Sequence, residues 1–595
     1  MKLYGIFREH TTRRKFPDGF RNFSGIMADQ EPLVYHTENH RYILCGHIYS
    51  VPGYGEEYPD DLKALQDVSA LYESSGESSL VTVDGDFTLF IFNGVDIKIF
   101  RDFKGTGPQI FYSGDYFSND LILLTRLHEH LPEPDFETLT FFLMFGYIPA
   151  DSTGLTDIRR LPGGYILKYG QGAPQVYPAD KTGLTSYHKN GKSHENEFIE
   201  AYTELHKKAI KNRISGKEKI SLLLSGGYDS GANLAALREF YDGPLTSYTV
   251  SFRNHPFSEL KYTRILADKF GSDLVNYEIT GEEIAELPGI VKQTGIPFQE
   301  SGLLINYLVT KTVAKDQPDV VLGGDGNDQL FGTANRELAM KFLTQLTGIN
   351  ALQKLFAVSM GANESGSLFQ KLNLFNDKID NIILPDHWGF RSGQLLYDPK
   401  VEKHIHRDKV FTTHFEQLYE NRRKNIDINQ TAFQVILFKA SQMAQLHGVH
   451  LTFPYLAREL HDFVNVLPLE LKIHGSVLEM MRAKGVSKYL HKKAYRDKLP
   501  PEVNNRPKQG GFVPLALFFK DEGRNEEFFR MIENSRLLCE LLSNKGHEIK
   551  KLRTALKDKN PWFWFQQVHL SRMLNMLVLA IWEKLILEQQ DVDTI

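Results

Sequence analysis

The chain has 595 residues, 42% of them hydrophobic and 24% charged, and a formal net charge of −5. That length builds two or more domains with full cores, and the balance excludes a disordered or fibrous chain; the negative charge argues against nucleic acid as the main partner. Two cysteines, Cys45 and Cys539, exclude a disulfide scaffold and a CxxC metal site, which points to a reducing cytoplasm. No signal-peptide core is evident, and the most apolar C-terminal run, 573–582, is short and broken by Asn575. It is expected to be one face of a buried helix, so no membrane partner is expected.

Residues 1–175 are predicted to be mostly strands, at 34–49 with a polar turn inside, 80–93, 96–100 and 109–112. Cys45 falls on one of these apolar strands, where a lone cysteine is expected to be packed core and not a nucleophile. From about Gly170 the sequence turns polar, with scattered glycine, proline and lysine, and 176–196 is expected to be a linker.

From Glu197 the pattern alternates. Strands are predicted at 220–224, 246–252, 274–279 and 319–322, with a helix over 258–270 closed by Gly271. Thr280 and Glu283 make a capping box for the helix that follows. Such alternation gives a parallel sheet covered by helices, with ligands beyond the strand C-termini. Residues 197–595 are therefore expected to form one α/β domain. After Phe331 it becomes helical and hard to read, and the acceptor-substrate pocket is expected within 333–445. Trp388-Gly389-Phe390-Arg391 in that stretch reads either as a binding loop or as a packed turn.

The stretch around which this domain is organised is Ser225-Gly226-Gly227-Tyr228-Asp229-Ser230, between a strand and a helix. Two glycines let the backbone close on a polyphosphate. Loop N–H groups, the Ser225 and Ser230 hydroxyls and the positive end of the helix can all donate to it. Asp229 beside bound phosphate implies a divalent cation between the two anions. A Walker loop is excluded, because its lysine is missing. About a hundred residues on, a second strand runs into Gly323-Gly324-Asp325-Gly326-Asn327-Asp328-Gln329-Leu330-Phe331-Gly332.

The first of these loops resembles the pyrophosphate loop of the ATP-pyrophosphatase enzymes, and the second resembles the GEGxDELFG segment of the asparagine synthetase family. The resemblance implies that ATP is cleaved between its α- and β-phosphates, with Mg²⁺ shared by Asp229 and Asp328. It also places the nucleotide against Ser225, Gly226, Gly227, Asp229, Ser230 and Gly324, and the adenine near Val250 and Ser251, which read equally well as core strand. Gln299-Glu300-Ser301 is similar to the family's EPxxDSS turn, with Glu300 either a substrate contact or a helix cap. Phe453-Pro454-Tyr455-Leu456 looks like RxPFLD with Thr452 and Ala457 in place of the arginine and the aspartate, a charge pair lost together. Ser487-Lys488-Tyr489-Leu490-His491-Lys492 resembles SKxLLR, and Arg506-Pro507-Lys508-Gln509-Gly510-Gly511-Phe512 resembles RxKxGF. By that likeness Lys488 contacts the departing pyrophosphate, Lys508 stabilises the acyl-transfer transition state, and Asp325, in place of the family's glutamate, orients the amine or takes its proton.

The first domain is similar to the family's N-terminal glutaminase domain, an Ntn-type β-sandwich with helices. The likeness rests on Val83-Asp84-Gly85-Asp86-Phe87, Arg101-Asp102, Phe117 to Thr125, and IRRLPGGYI from Ile158 to Ile166, which resembles the family's closing strand pair. Its chemistry is not expected to survive. The family's Met-Cys-Gly-Ile stands here as Leu3-Tyr4-Gly5-Ile6, and its NGEIYN as Cys45-Gly46-His47-Ile48-Tyr49-Ser50, so both the nucleophile and the oxyanion-hole asparagine are replaced. Two groups of the superfamily carry such a dead domain. One of them, the β-lactam synthetases, has a tyrosine at Asp325, so the chain most resembles a lasso-peptide cyclase. The partners this implies are a precursor peptide, with a leader-binding protein and a leader peptidase. A β-lactam synthetase-like activity, ammonia-dependent asparagine synthesis and a non-catalytic ATP-binding adaptor are the competing expectations.

Overall fold

A computed structural model describes residues 1–6, 21–23, 26–127, 132–170, 172–180, 195–253, 255–332, 389–397, 415–476, 479, 485–506, 513–558 and 562–592. The first part is a sandwich of two antiparallel sheets. One runs in the order Arg159–Arg160, Phe111–Ser113, Tyr116–Ser118, Leu3–Ile6, Ile26–Ala28, Arg21–Phe23. The other runs Gln175–Pro178, Tyr165–Tyr169, Ile97–Arg101, Asp84–Phe92, Arg41–Val51, Leu33–His36, with Gly55–Glu56 beside the fifth.

A near-continuous run of β-branched and aromatic residues, such as Phe87 to Phe92, is what a strand packed on both faces requires. All nine residues of Asp84–Phe92 are buried. Leu89 and Ile91 face a core that includes Ala64, Leu65 and Val68 of the helix Asp61–Ser75, while Phe90 meets Leu3, Ile43 and Phe117 between the sheets. Three local expectations change. The segment Glu77–Thr82 is a 3₁₀ turn and not the start of a strand, because Gly76 ends the preceding helix at φ 76° and the chain must reverse before Asp84. The two halves of IRRLPGGYI are strands in different sheets, not a pair. The polar stretch after Gly170 holds a further strand, Gln175–Pro178, which pairs with Tyr165–Tyr169; residues 181–194 of the expected linker lie outside the described residues.

The second part centres on a five-stranded, wholly parallel sheet in the order Asp273–Ile279, Leu245–Phe252, Ile220–Leu223, Val320–Leu322, Leu451–Thr452. The chain leaves the middle strand for one side of the sheet and returns on the other. Ile220–Leu223 and Val320–Leu322 therefore lie side by side, Leu222 opposite Leu322, and the loops that follow them leave adjacent strand ends in opposite connections. This is the switch point at which open α/β sheets take their ligands. The Thr280–Glu283 box forms, with the Glu283 carboxylate accepting the Thr280 N–H at 2.9 Å, although the turn it starts is 3₁₀ (Glu282–Glu286) before the helix Leu287–Thr294.

The apolar run 573–582 belongs to the helix Phe563–Trp582, buried at every position from His569 to Trp582 and so buried all round, not on one face. It ties the two parts together: Asn575 donates to the Leu143 carbonyl of the first and the Trp582 indole to the Gly295 carbonyl of the second, at 3.3 and 2.9 Å. Among the described residues no helix is long and apolar enough to cross a membrane.

Candidate active site

Gly226 sits at φ 71°, and a Cβ there would lie 2.9 Å from the Glu259 carbonyl and from Thr263, at the start of the helix Leu260–Phe270. Only glycine makes this turn. Gly227 caps the helix Tyr228–Leu237 with no side-chain hydrogen bond, so the first-turn N–H groups face the loop. The Ser225 and Ser230 hydroxyls are 3.2 Å apart across it. Gly324 of the second loop packs on the first so closely that a Cβ would stand 3.2 Å from the Ser230 backbone. The two strand ends thus bring Ser225, Gly226, Gly227, Asp229, Ser230 and Gly324 into one cradle.

Into that cradle comes Lys488, from the turn before the helix Tyr489–Tyr495. It is a buried residue in the left-handed region (φ 51°, ψ 42°), a conformation costly for a side-chain-bearing residue. Its ammonium lies 2.6 Å from Asp229 Oδ2 and 2.8 Å from Asp328 Oδ1. Burial works against the charge, but the two carboxylates outweigh it and hold Lys488 protonated above the ordinary lysine range. Burial likewise works against ionised Asp229, and Lys488 and His491 hold it well below the ordinary carboxylate range. Both carboxylates converge on one positive centre. Two carboxylate oxygens plus phosphate oxygens and water are what Mg²⁺ takes, and among the described residues no cluster of three or more such ligands offers a full protein cage. The residues fit a metal shared with the nucleotide.

Asp325 is partly buried, and burial raises its pKa; the nearby Lys439 opposes this, while Glu300, Asp328 and Asp229 add to it. Glu300 does two things at once: its carboxylate accepts the Gly302 N–H at 2.8 Å, capping the turn before Leu303–Val313, and it pairs with the buried ammonium of Lys439. Val250 and Ser251 close the strand Leu245–Phe252, with Ser251 Oγ buried and, among the described residues, without a hydrogen-bond partner. Lys508 lies outside the described residues. The motif is described as far as Arg506, whose guanidinium holds Glu259 at 2.6 Å and lies 3.8 Å from a Cβ built on Gly227, beside the loop. Trp388 also lies outside, whereas Phe390 is fully buried and Arg572 Nε donates to the Gly389 carbonyl, which makes the described part of that segment a packed turn.

Four contributors carried no clear sequence signal. Asn327 donates to Asp229 Oδ1 at 2.7 Å, His491 Nε2 stands 3.1 Å from the same oxygen, and the Tyr455 hydroxyl donates to the Asp229 carbonyl at 2.7 Å. Lys439 is the fourth. Asn327, Tyr455 and His491 stood within recognised motifs and Lys439 did not, and the signal at His491 was its departure from the leucine of SKxLLR.

In the first domain Tyr4 is fully buried inside the strand Leu3–Ile6, paired on both sides. Cys45 is buried too, and burial pushes its thiol up to about 12. The NGEIYN-like segment borders a cavity of about 1380 Å³ between the two parts, which Cys45, Gly46, His47, Asp86, Gln445 and His450 help to line. This cavity lies away from the phosphate loops. Beside it is a buried charge network: Arg213, from the helix Glu195–Ile214, holds both oxygens of Asp84 at 2.9 and 3.1 Å and donates to Thr452 Oγ1 at 3.0 Å. Thr452 in turn donates to Asp86 at 2.8 Å. The arginine missing at position 452 is thus matched by a guanidinium arriving from another helix.

A parallel sheet with a glycine-cradled anion loop, two convergent aspartates and a buried lysine at its switch point defines an ATP-dependent carbon–nitrogen ligase that releases AMP. Residues 201–582 match the asparagine synthase family model, and the chain belongs to that family. It is similar to asparagine synthetase [glutamine-hydrolyzing] 1 of Bacillus subtilis (strain 168), 24% identical over 596 residues, covering 96% of this chain and 90% of that one. It is also similar to the putative asparagine synthetase [glutamine-hydrolyzing] 2 of Methanocaldococcus jannaschii, 23% identical over 333 residues, 52% of this chain and 62% of that one. Among solved structures it matches a U34-tRNA thiolase from Methanococcus maripaludis at 11% identity and a TM-score of 0.20, over 45% of this chain and 90% of that one.

Proposed function

We propose that the chain is a macrolactam synthetase of lasso-peptide biosynthesis: it adenylates an Asp or Glu side chain of a precursor peptide and closes an isopeptide ring with the peptide's N-terminal amine. The observation that carries this is the state of the first domain. Tyr4, buried within a strand and with chain on both sides, offers neither a thiol nor a free α-amine, and the Cys45 thiol is held protonated by burial. Nitrogen drawn from glutamine is therefore replaced by an amine on the substrate, and a well-placed intramolecular amine gains an effective molarity of about 10⁵ M or more.

A carboxylate does not react with an amine until its oxygen becomes a leaving group. Attack of the carboxylate on the α-phosphorus expels pyrophosphate and gives an acyl-adenylate; attack of the amine on its carbonyl then expels AMP. Mg²⁺ held by Asp229 and Asp328 would neutralise charge on the departing pyrophosphate. Lys488 and the loop N–H groups donate to the same group, Ser225, Ser230 and Gly324 hold the phosphates, and Val250 and Ser251 flank the adenine. Asp325, whose pKa burial raises, takes the amine's proton. Lys508 holds the tetrahedral oxyanion, a contact worth about 2.7–4 kcal/mol. A leader-binding protein and a leader peptidase would deliver the substrate.

The test is mass spectrometry with MgATP and a leaderless precursor peptide encoded beside the gene, following the nucleotide. Loss of one water from the peptide together with AMP and pyrophosphate is the expected result. The near full-length match to a Bacillus subtilis asparagine synthetase favours a second reading, ammonia-dependent asparagine synthesis. AMP formed only with aspartate and ammonium would establish it and overturn ring closure.

A further inference from the structure

Asp229 has its two oxygens divided between different partners. Oδ2 faces the Lys488 ammonium, which also holds Asp328 Oδ1. Oδ1 accepts the Asn327 amide at 2.7 Å and stands 3.1 Å from His491 Nε2. The imidazole is completely buried and cannot turn away. The rings of Tyr228 and Tyr455 pack against it edge-on at 5.3 and 5.5 Å, and the buried Tyr202 hydroxyl meets its Nδ1 at 3.0 Å. A lone pair on Nε2 facing the carboxylate would repel it, so Nε2 carries its hydrogen whether the ring is neutral or charged. In the neutral ring the Tyr202 O–H then donates to Nδ1 and fixes that tautomer.

Resting on the metal site proposed above, we infer that His491 is a positioning residue. With Asn327 it pins Oδ1 and stops the Asp229 carboxylate from rotating, which leaves Oδ2, on the side of Asp328, as the oxygen that would meet a metal. Losing a partner of this kind behind a metal ligand typically costs about 10–100-fold in metal affinity.

Mn²⁺, which can be followed by electron paramagnetic resonance, reads this without any acceptor substrate. Binding of Mn²⁺ in the presence of ATP should weaken about 10–100-fold in His491→Leu. His491→Gln keeps an N–H donor near the Nε2 position and should recover most of that loss, while Tyr202→Phe should fall between. The Mg²⁺ concentration giving half-maximal thermal stabilisation by ATP should shift in the same order. Unchanged Mn²⁺ binding in His491→Leu overturns the inference, as does a Gln variant as weak as the Leu variant. Should His491→Leu fail to fold, the Gln and Tyr202→Phe variants decide alone: equal, undiminished affinity in both overturns it. Failure of the wild type to bind Mn²⁺ with ATP overturns the metal site itself. Failure of ring closure with intact, His491-dependent Mn²⁺ binding overturns only the choice of acceptor.

Discussion

Replacing Arg213 by methionine keeps an unbranched side chain of similar volume, though a shorter one, and removes one charge from an almost fully buried network. The Arg213 side chain is fully buried and that of Asp84 nearly so, and the pair joins the helix Glu195–Ile214 to the strand Asp84–Phe92 of the first domain. Lys104 is the remaining cation, 3.7 Å from Asp84 and 3.2 Å from Asp86. Breaking a buried pair by removing one partner costs about 3–5 kcal/mol, because the other charge is stranded. For a unit of about 150–250 residues, the size of the first domain, each kcal/mol moves Tm by about 2–4 °C, so its transition should fall by about 6–20 °C. Calorimetry with limited proteolysis of the two parts would measure this. Arg213→Met combined with Asp84→Leu strands no charge between them and should recover a large part of the loss. A single variant that loses less than about 1 kcal/mol, or a double variant as unstable as the single, refutes the reasoning.

Lys488→Met should lower ATP–pyrophosphate exchange by about 10²–10³-fold, the usual cost of one charge-stabilising donor, while leaving the fold intact by circular dichroism. Gly226→Ala should lose nucleotide-dependent thermal stabilisation, since the left-handed conformation alone costs about 1–2 kcal/mol and the added Cβ meets the Glu259 carbonyl at 2.9 Å. If Asp325 accepts the amine's proton, the rate of the acyl-transfer step should rise with pH through a midpoint above the ordinary value of about 3.9. Asp325→Asn should lower that rate and flatten the profile. Asp86 is held below the ordinary carboxylate range: burial opposes its charge, and Lys104 and Arg213 prevail. Its contribution to stability is therefore full above about pH 3.9 and is lost as the pH falls below that value. Acid titration by fluorescence should show the first domain loosening in that range, and a first domain indifferent to pH there would contradict it.

The sequence by itself determined the parts that rest on local backbone chemistry. Ser225-Gly226-Gly227 supplies the glycine that a tight left-handed turn after a strand requires, strands and helices alternate with recognisable caps, and Tyr4-Gly5-Ile6 marks the altered first domain. Local signals do not say which strands neighbour each other, and this decided the remainder. Pairing Ile220–Leu223 with Val320–Leu322 is what sets Asp229 against Asp328, two residues a hundred positions apart. The same limit hid Lys439, which meets Glu300 across 139 positions, and Arg213, a helix residue whose partner Asp84 lies 129 positions away on a strand of the first domain. His491 stood as a polar residue where a leucine was expected, and only the packing of Tyr202, Tyr228 and Tyr455 around it gave that substitution a direction. Motifs carry chemistry because a few residues need fixed spacing along the chain. Buried charges carry it through partners that only the fold brings within 3 Å.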